Sequence, residues 1–590
     1  MRGDDSATPA PAGSKVALAV LVALVVLSPW PFGSVHLRTT QAIALISLAT
    51  ALGAFLWDGW HRQLQLPPRA ILWPLLGLWA LAVFQLIPLP EGLHRWIAPG
   101  SAAVWHPDVA AAAAVLGPGP RPISLYPEAT RRWLAFATGV IALALAAAPA
   151  LRGRRLLLRA SVAVVSGAVL VAVYGFVARL VFGDKLFGVW TVPTVAPFGP
   201  FVSKNHFAGY VERAALLALG LATGQTDEAR HGSGWLSWIE SRRSMWAVIA
   251  WGAVFVLVLA VPVSLSRGGV VSLSAGLLVF GILRLWTRGP SRLSARGLAL
   301  SLALALLATA AIVAILPAQA RSRVLTLTGV TSDQSGSYRL GIWRDTLRLI
   351  ASSPAVGSGF GAYADALPRF KTTAGHLGIE HAENDHLELV AEGGTVGALL
   401  VAVGALALVL RGSKQVQCEE HRLPRAVHAA ALAAGAGICA HSALDFNLHI
   451  PSNALLVGLL AALACTWSCS SEPGEPRRCQ VSSWVSGVLI AVSFLVAITT
   501  GWRPSYGPPA AFARISSRSS ADLRRSSLES EVTALLRQRP ALTAAWLDLA
   551  WLRSGLSAAA VAGWAEHLDP TNASVQYVAR PLRARATGGE

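Results

Sequence analysis

Long apolar runs alternate with short polar connections over the first 500 residues of the chain. Thirteen runs stand out, near 16–34, 40–57, 70–88, 134–150, 157–182, 208–223, 246–264, 268–287, 297–316, 395–411, 426–446, 453–470 and 483–500. Each approaches the roughly 20 apolar residues that carry a helix across the hydrocarbon of a bilayer. A helix is the form such a run takes in lipid, because it satisfies its own backbone donors and acceptors. The pattern predicts an all-α polytopic membrane protein with about 12–13 transmembrane helices. The first run is not read as a signal peptide: Asp4 and Asp5 spoil a basic leader, and no clear small-x-small cleavage site follows.

Two stretches break the pattern. The longest interruption runs from about Pro317 to Gly397, with 317–394 as a large loop between spans. After the last run, residues 501–528 are rich in Pro, Ser and Arg and read as a linker. From Glu529 onward amphipathic helices return, and Pro540-x5-Trp546-x2-Leu549-Ala550 followed by Ala565-x4-Pro570 resembles one degenerate tetratricopeptide unit. One such unit could hardly bury its own face, so the region 529–590 either docks as an appendage or packs on the membrane domain. The expected organisation is a cytoplasmic N-terminus (1–15), a membrane domain (16–500), the linker, and this small helical tail.

Composition agrees: 54% of residues are hydrophobic and 14% charged, with a mean hydropathy of +0.52. The net charge of +18 does not signal nucleic acid, because the basic residues fall in alternate short loops. Those loops carry Arg62 and Arg69; Arg152, Arg154, Arg155 and Arg159; Arg230, Arg242 and Arg243; Arg288, Arg292 and Arg296; Lys414, Arg422 and Arg425; and Arg477 and Arg478. They are expected to face the cytoplasm, which puts the N-terminus inside and, with an odd count of spans, the C-terminus outside. The five cysteines fall in spans or in these loops and give neither a disulfide framework nor a thiolate metal site.

The loops of unusual polar content then share the opposite, non-cytoplasmic face: 89–133, 183–207, 264–269, 317–394 and 441–451. Arg267, in Ser264-Leu265-Ser266-Arg267-Gly268-Gly269, either snorkels to the interface or binds a diphosphate. Arg339, Trp343 and Arg344 lie at helical spacing, with Leu340, Leu347 and Ile350 as an apolar face. They form either a basic membrane-surface helix or a phosphate-binding one, since the guanidinium fork suits phosphate oxygens. His381-Ala382-Glu383-Asn384-Asp385-His386 offers two candidate general bases, Glu383 and His381. The same six residues could also bind a metal or be a plain polar loop, but the histidines are five apart, not the four of a helical zinc pair, which disfavours a structural metal site, and no P-loop or Rossmann glycine pattern points to a cofactor. Lys204, Asn205 and His206 precede one span, and His441 and Asp445, a helical turn apart, end another. Such groups either serve function or satisfy each other.

Together these residues resemble the O-antigen ligase/polymerase family of bacterial envelope glycan enzymes. The resemblance rests on Gly199-Pro200-Phe201-Val202-Ser203-Lys204-Asn205-His206-Phe207-Ala208-Gly209-Tyr210, on Ser266-Arg267-Gly268, and on Arg339-x3-Trp343-Arg344. It continues in Pro354-x2-Gly357-x-Gly359, the 381–397 segment, and His441-Ser442-x2-Asp445-x5-Pro451, so that it covers about 124–470. It implies a GT-C-like helical fold and a metal-independent transfer, at the periplasmic face, of a glycan carried on undecaprenyl diphosphate. The acceptor would be a growing chain or lipid A-core. Arg267, Arg339, Arg344, Lys204, His206, Asn384, His441 and Asp445 would bind substrate, and Glu383 or His381 would take the acceptor proton. In the ligase branch a His stands directly before an Asn, Ser or Gln, followed by nine residues and Gly-x-x-Gly, with that His as the base. Here Asn384 and Gly394-Thr395-Val396-Gly397 fit that frame but Glu383 holds the His position. Either Glu383 takes the role, His381 swings in, or the chain belongs to a polymerase or exopolysaccharide branch. A lipid-linked glycan flippase and a non-catalytic assembly protein that docks envelope partners through its tail are the competing classes.

Overall fold

The computed structural model describes residues 10–192, 196–229, 242–287, 334–372, 378–465, 525–553 and 555–586. The predicted spans 297–316 and 483–500, most of the linker, the first part of the long interruption, Cys469 and Cys479 lie outside the described residues. So do Arg230, Arg288, Arg292, Arg296, Arg477 and Arg478.

Among the described residues the only paired strands are Lys185–Leu186 and Trp190–Thr191, a minimal antiparallel hairpin, and the rest of the regular structure is helical. The other eleven predicted runs each coincide with a helix: Ala12–Leu27, Leu37–Trp60, Arg69–Phe84, Pro127–Ala147, Arg154–Phe182, Lys204–Ala229, Arg242–Val263, Arg267–Trp286, Asp385–Cys418, Arg422–Ser442 and Pro451–Ala464. Seven of the described helices are long and apolar enough to cross a membrane, and Ala12–Leu27, Arg69–Phe84 and Pro451–Ala464 are apolar but shorter. The protein is all-α and polytopic. Lys204–Ala229, at 26 residues, is long enough but carries Glu212 and Arg213 in its interior and is not one of the seven.

The chain folds into two compact units. The first takes residues from Met1–Trp73, Ala135–Gly329 and Val403–Leu495. At its centre the Arg422–Ser442 helix, rich in Ala and Gly, packs on Lys204–Ala229 and on Arg267–Trp286. Small residues let these backbones approach closely. A Cβ on Gly220 would strike Ala426 and Ala430, and one on Gly276 would strike Leu216. Asp58, almost fully buried, accepts from the Gly13 and Ser14 amides at 2.8 and 3.0 Å and from Ser14 Oγ at 2.9 Å. It thereby satisfies donors that the start of the Ala12–Leu27 helix leaves open.

The second unit takes residues from Pro74–Leu134, Val330–Ala402 and Val496–Glu590. Its core joins Trp105 and Leu116, Ile342, Leu349 and Tyr363 with Leu536, Trp546, Leu549 and Leu568. The tetratricopeptide-like stretch therefore buries its apolar face, Trp546 included, against segments 104–125 and 342–391. This is how a single repeat-like unit acquires a core.

The Gly-rich turn of the interruption is structural. The Ser358 amide donates to the Ala391 carbonyl (3.0 Å), that of Gly359 to Glu392 (3.1 Å), and that of Thr395 to Pro354 (2.8 Å). Gly357 and Gly394 adopt φ of 70° and 64°, and a Cβ on either would collide with the opposing backbone. Gln85 locks the turn by donating to the Val356 and Glu392 carbonyls at 2.7 and 2.8 Å and accepting from Phe360 at 3.1 Å.

Candidate functional site

In the second unit the helix predicted around Arg339 and Arg344 spans Gln334–Ser352. Its buried face differs from the expected one. Leu340 and Leu347 are exposed (39% and 55%), whereas Ile342, Asp345, Thr346 and Leu349 are buried. The reason is polar pairing: Asp345 accepts from the Thr372 amide at 2.7 Å and its hydroxyl at 2.6 Å, and Thr346 shares a hydrogen bond with Tyr363 at 2.7 Å. Burial, more than the neighbouring carboxylates, pushes the Tyr363 phenol well above its ordinary range. Arg344 is exposed, while Arg339 lies half-buried on the other side.

Arg339 meets Glu383. Both its Nε and one terminal nitrogen donate to Glu383 Oε2, at 3.2 and 3.0 Å. Glu383 has φ 53°, a left-handed conformation that costs a side-chain-bearing residue about 1 kcal/mol or more. Burial first, and then the Glu383 charge, raise the Tyr338 phenol.

His381 turns to Glu388, whose carboxylate is buried. Its Nδ1 lies 2.8 Å from Oε1, and the Ala382 amide donates to Oε2 at 2.8 Å. A carboxylate accepts, so the ring proton sits on Nδ1 and Nε2 is the basic nitrogen. Asn384 caps the Asp385–Cys418 helix, its side-chain oxygen accepting from the His386 and Leu387 amides at 3.0 and 3.1 Å. His386 is exposed.

The first unit holds the other predicted residues. Lys204 opens the Lys204–Ala229 helix and Arg267 opens Arg267–Trp286, both half-buried. His206 Nε2 stands 3.5 Å from Asp445 Oδ1, and both are buried. His441 takes a different partner, with Nδ1 2.9 Å from Glu212 Oε1. Asn453 Nδ2 bridges the His206 carbonyl (3.1 Å) and Asn447 Oδ1 (2.9 Å).

Sequence reasoning missed Glu388, Glu212, Arg213, Ser272, Asn447 and Asn453. Glu212 and Arg213 carried a signal, since two charges inside an apolar run are costly in lipid. Glu388 carried none, because its pairing with His381 crosses a loop whose course the spacing does not fix.

No curated protein matches the chain. Residues 252–402 match the family model described as O-antigen ligase. That segment contains Arg267, Arg339, Arg344, His381, Glu383, Asn384 and Glu388. Proteins of this family are glycosyltransferase-like ligases and polymerases. The match over residues 252–402 supports the resemblance to the O-antigen ligase/polymerase family read from the motifs.

Proposed function

We propose that the protein transfers or polymerises a glycan carried on undecaprenyl diphosphate at the periplasmic face of the inner membrane, with His381 as general base. The observation that carries the reading is the 2.8 Å contact between His381 Nδ1 and the buried Glu388, inside the segment that matches O-antigen ligase. In the reaction an acceptor hydroxyl oxygen forms a bond to the anomeric carbon, and the bond from that carbon to the diphosphate oxygen breaks with its electron pair. The acceptor proton passes to His381 Nε2, and Glu388 stabilises the imidazolium that results, a contribution of about 10²–10⁴ in rate.

Arg339 stabilises the charge growing on the leaving diphosphate, worth roughly 10²–10³. Glu383, bound to Arg339 through one oxygen, orients that guanidinium. This reading chooses between the two candidate bases: Glu383 serves the arginine and His381 serves the acceptor.

The test is the lipid-linked glycan profile of a null strain complemented with wild type, His381→Gln, Arg339→Ala or Glu383→Gln, each matched for membrane expression. Single repeat units accumulating on undecaprenyl diphosphate in the His381 and Arg339 variants mean a polymerase. Full-length chains left on that carrier mean a ligase. Full complementation by both variants would overturn the catalytic reading.

A further inference from the structure

The second unit carries an exposed apolar edge just past the end of an apolar helix. Leu93 and Trp96 lie five and eight residues beyond the predicted run 70–88, at the start of a loop expected on the non-cytoplasmic face. They sit one turn apart on the short helix Glu91–Ile97 and are 44% and 81% exposed; Ile87 before them is 47% exposed. The same helix has a packed side, where His94 is fully buried with Nε2 3.2 Å from Ser101 Oγ. Its charges are engaged within the fold. Arg95 donates to Glu91 Oε1 at 2.9 Å and to the His106 carbonyl at 3.1 Å, and stands 3.5 Å from Asp108.

Two helices of this unit give the level of the lipid. Asp385–Cys418 is long and apolar enough to cross a membrane, and Arg69–Phe84 packs beside it, so that a Cβ on Gly77 would strike Leu400. Both change character at one height. Gln85, which follows the first helix, is fully buried and donates to the Glu392 carbonyl of the second at 2.8 Å. Beyond that point every residue from Val396 to Ala402 is apolar, and Val396 and Leu399 are exposed. The chain after Gln85 cannot stray far from this border. Leu89 exchanges both backbone hydrogen bonds with Arg121, at 2.8 and 3.0 Å, and a seven-residue helix is only about 10 Å long. An exposed indole with leucine and isoleucine beside it, at the end of an apolar helix, suits the headgroup layer: the ring body meets acyl chains and the N–H meets water. With Arg95 already paired, the attraction is apolar rather than ionic.

The same hydrogen bonds continue to the proposed base. Glu392 lies one helical turn after Glu388, whose carboxylate accepts from His381 Nδ1 at 2.8 Å, and Glu392 Oε1 accepts from the Tyr363 amide at 3.0 Å. A polyprenyl diphosphate keeps its chain in the hydrocarbon, so the sugar carbon bonded to the diphosphate stays at headgroup level. A base tied to this edge is held at the depth of that carbon. We propose that Ile87, Leu93 and Trp96 form a wedge that enters the lipid headgroup layer and, through Gln85 and Glu392, sets the depth of His381. The depth-setting rests on the proposed transferase reading; the insertion does not.

The test places the photoreactive residue benzoylphenylalanine at position 93, 96 or 108 of the full-length protein in nanodiscs of phosphatidylcholine and phosphatidylglycerol. On irradiation the labels at 93 and 96 should form lipid adducts with both lipids, unchanged by high salt. The label at 108, where the native side chain is 95% exposed, should form none. Leu93→Asp/Trp96→Asp should lower turnover about ten- to hundred-fold with the donor KM unchanged, the effect of misplacing the base by about 1 Å, and Leu93→Phe/Trp96→Phe should keep it. The labelled proteins retain the fold and cover the case in which the aspartate variant does not. A label at 96 that meets lipid no more often than the one at 108 overturns the proposal, and so does crosslinking to a second copy of the chain in place of lipid. Lipid adducts together with wild-type turnover in the aspartate variant overturn the depth-setting. Lipid adducts in a protein that transfers no glycan would sink the transferase reading and leave the insertion standing.

Discussion

Arg539 and Asp365 form a two-toothed ion pair in the second unit, Nε to Oδ1 at 2.7 Å and a terminal nitrogen to Oδ2 at 3.0 Å, with both side chains largely buried. The guanidinium also lies 4.1 Å over the Tyr126 ring. Burial raises the Asp365 carboxyl against the downward pull of Arg539. Nearby, Lys371 and Asp569 make a second buried pair at 3.1 Å, so the C-terminal helices are tied at two points to the chain that leads to His381.

Arg539→Ala would leave Asp365 buried without its cation, and breaking such a pair costs about 3–5 kcal/mol. The expected result is a lower unfolding midpoint for the second unit and faster proteolysis within 525–586. The double variant Arg539→Met/Asp365→Leu, which removes both charges, should recover much of the loss. A single variant as stable as wild type would show that the pair contributes nothing.

His94 supplies a pH dependence. Burial above all, then the charges of His106 and Arg95, lower its pKa from 6.5 to about 4. The folded state thus binds fewer protons than the unfolded one, and the stability tied to neutral His94 is complete above pH 6.5 and lost as pH falls toward 4. Between pH 7 and pH 5 the second unit should lose about 2 kcal/mol. Tryptophan-monitored unfolding of His94→Gln should show that slope flattened.

Asp548 runs the other way. Burial raises its carboxyl from 3.8 to about 6. The folded state here binds more protons than the unfolded one, so stability drains away as pH rises from 3.8 through 6. Asp548→Asn should therefore stabilise the protein at pH 7 by about 1–3 kcal/mol and change little at pH 4. A variant that melts with wild type at both pH values would mean the carboxylate is solvated after all.

Much of this was legible because lipid imposes a length on apolar segments, and run length survives in sequence without any knowledge of contacts. The interior charges Glu212 and Arg213 were visible too, but an average over residues 208–223 hides them among leucines and alanines. The face of the Gln334–Ser352 helix was not legible. Periodicity counts Leu340 and Leu347 as inward, yet Asp345 and Thr346 find polar partners in Thr372 and Tyr363 and take the buried side. Nor was it legible that the Asn384 oxygen caps a helix, or that His441 and Asp445, adjacent on one turn, take Glu212 and His206 as partners from another helix.

The sharpest test of the proposed mechanism is Glu388. It accepts from both His381 Nδ1 and the Ala382 amide, each at 2.8 Å, so it sets the ring's tautomer and holds the backbone that carries it. Glu388→Gln keeps the shape and one acceptor oxygen but removes the charge that would stabilise an imidazolium. Transfer should fall about 10²–10⁴-fold, close to the loss in His381→Gln, and the double variant should be little worse than either single one, because the two act as a unit. Binding of the lipid-linked donor should hold in all three, since neither residue is assigned to the diphosphate. If Glu388→Gln is as active as wild type while His381→Gln is dead, the carboxylate only shapes the loop. If both variants are active, the base lies elsewhere, and Glu383 becomes the residue to change next.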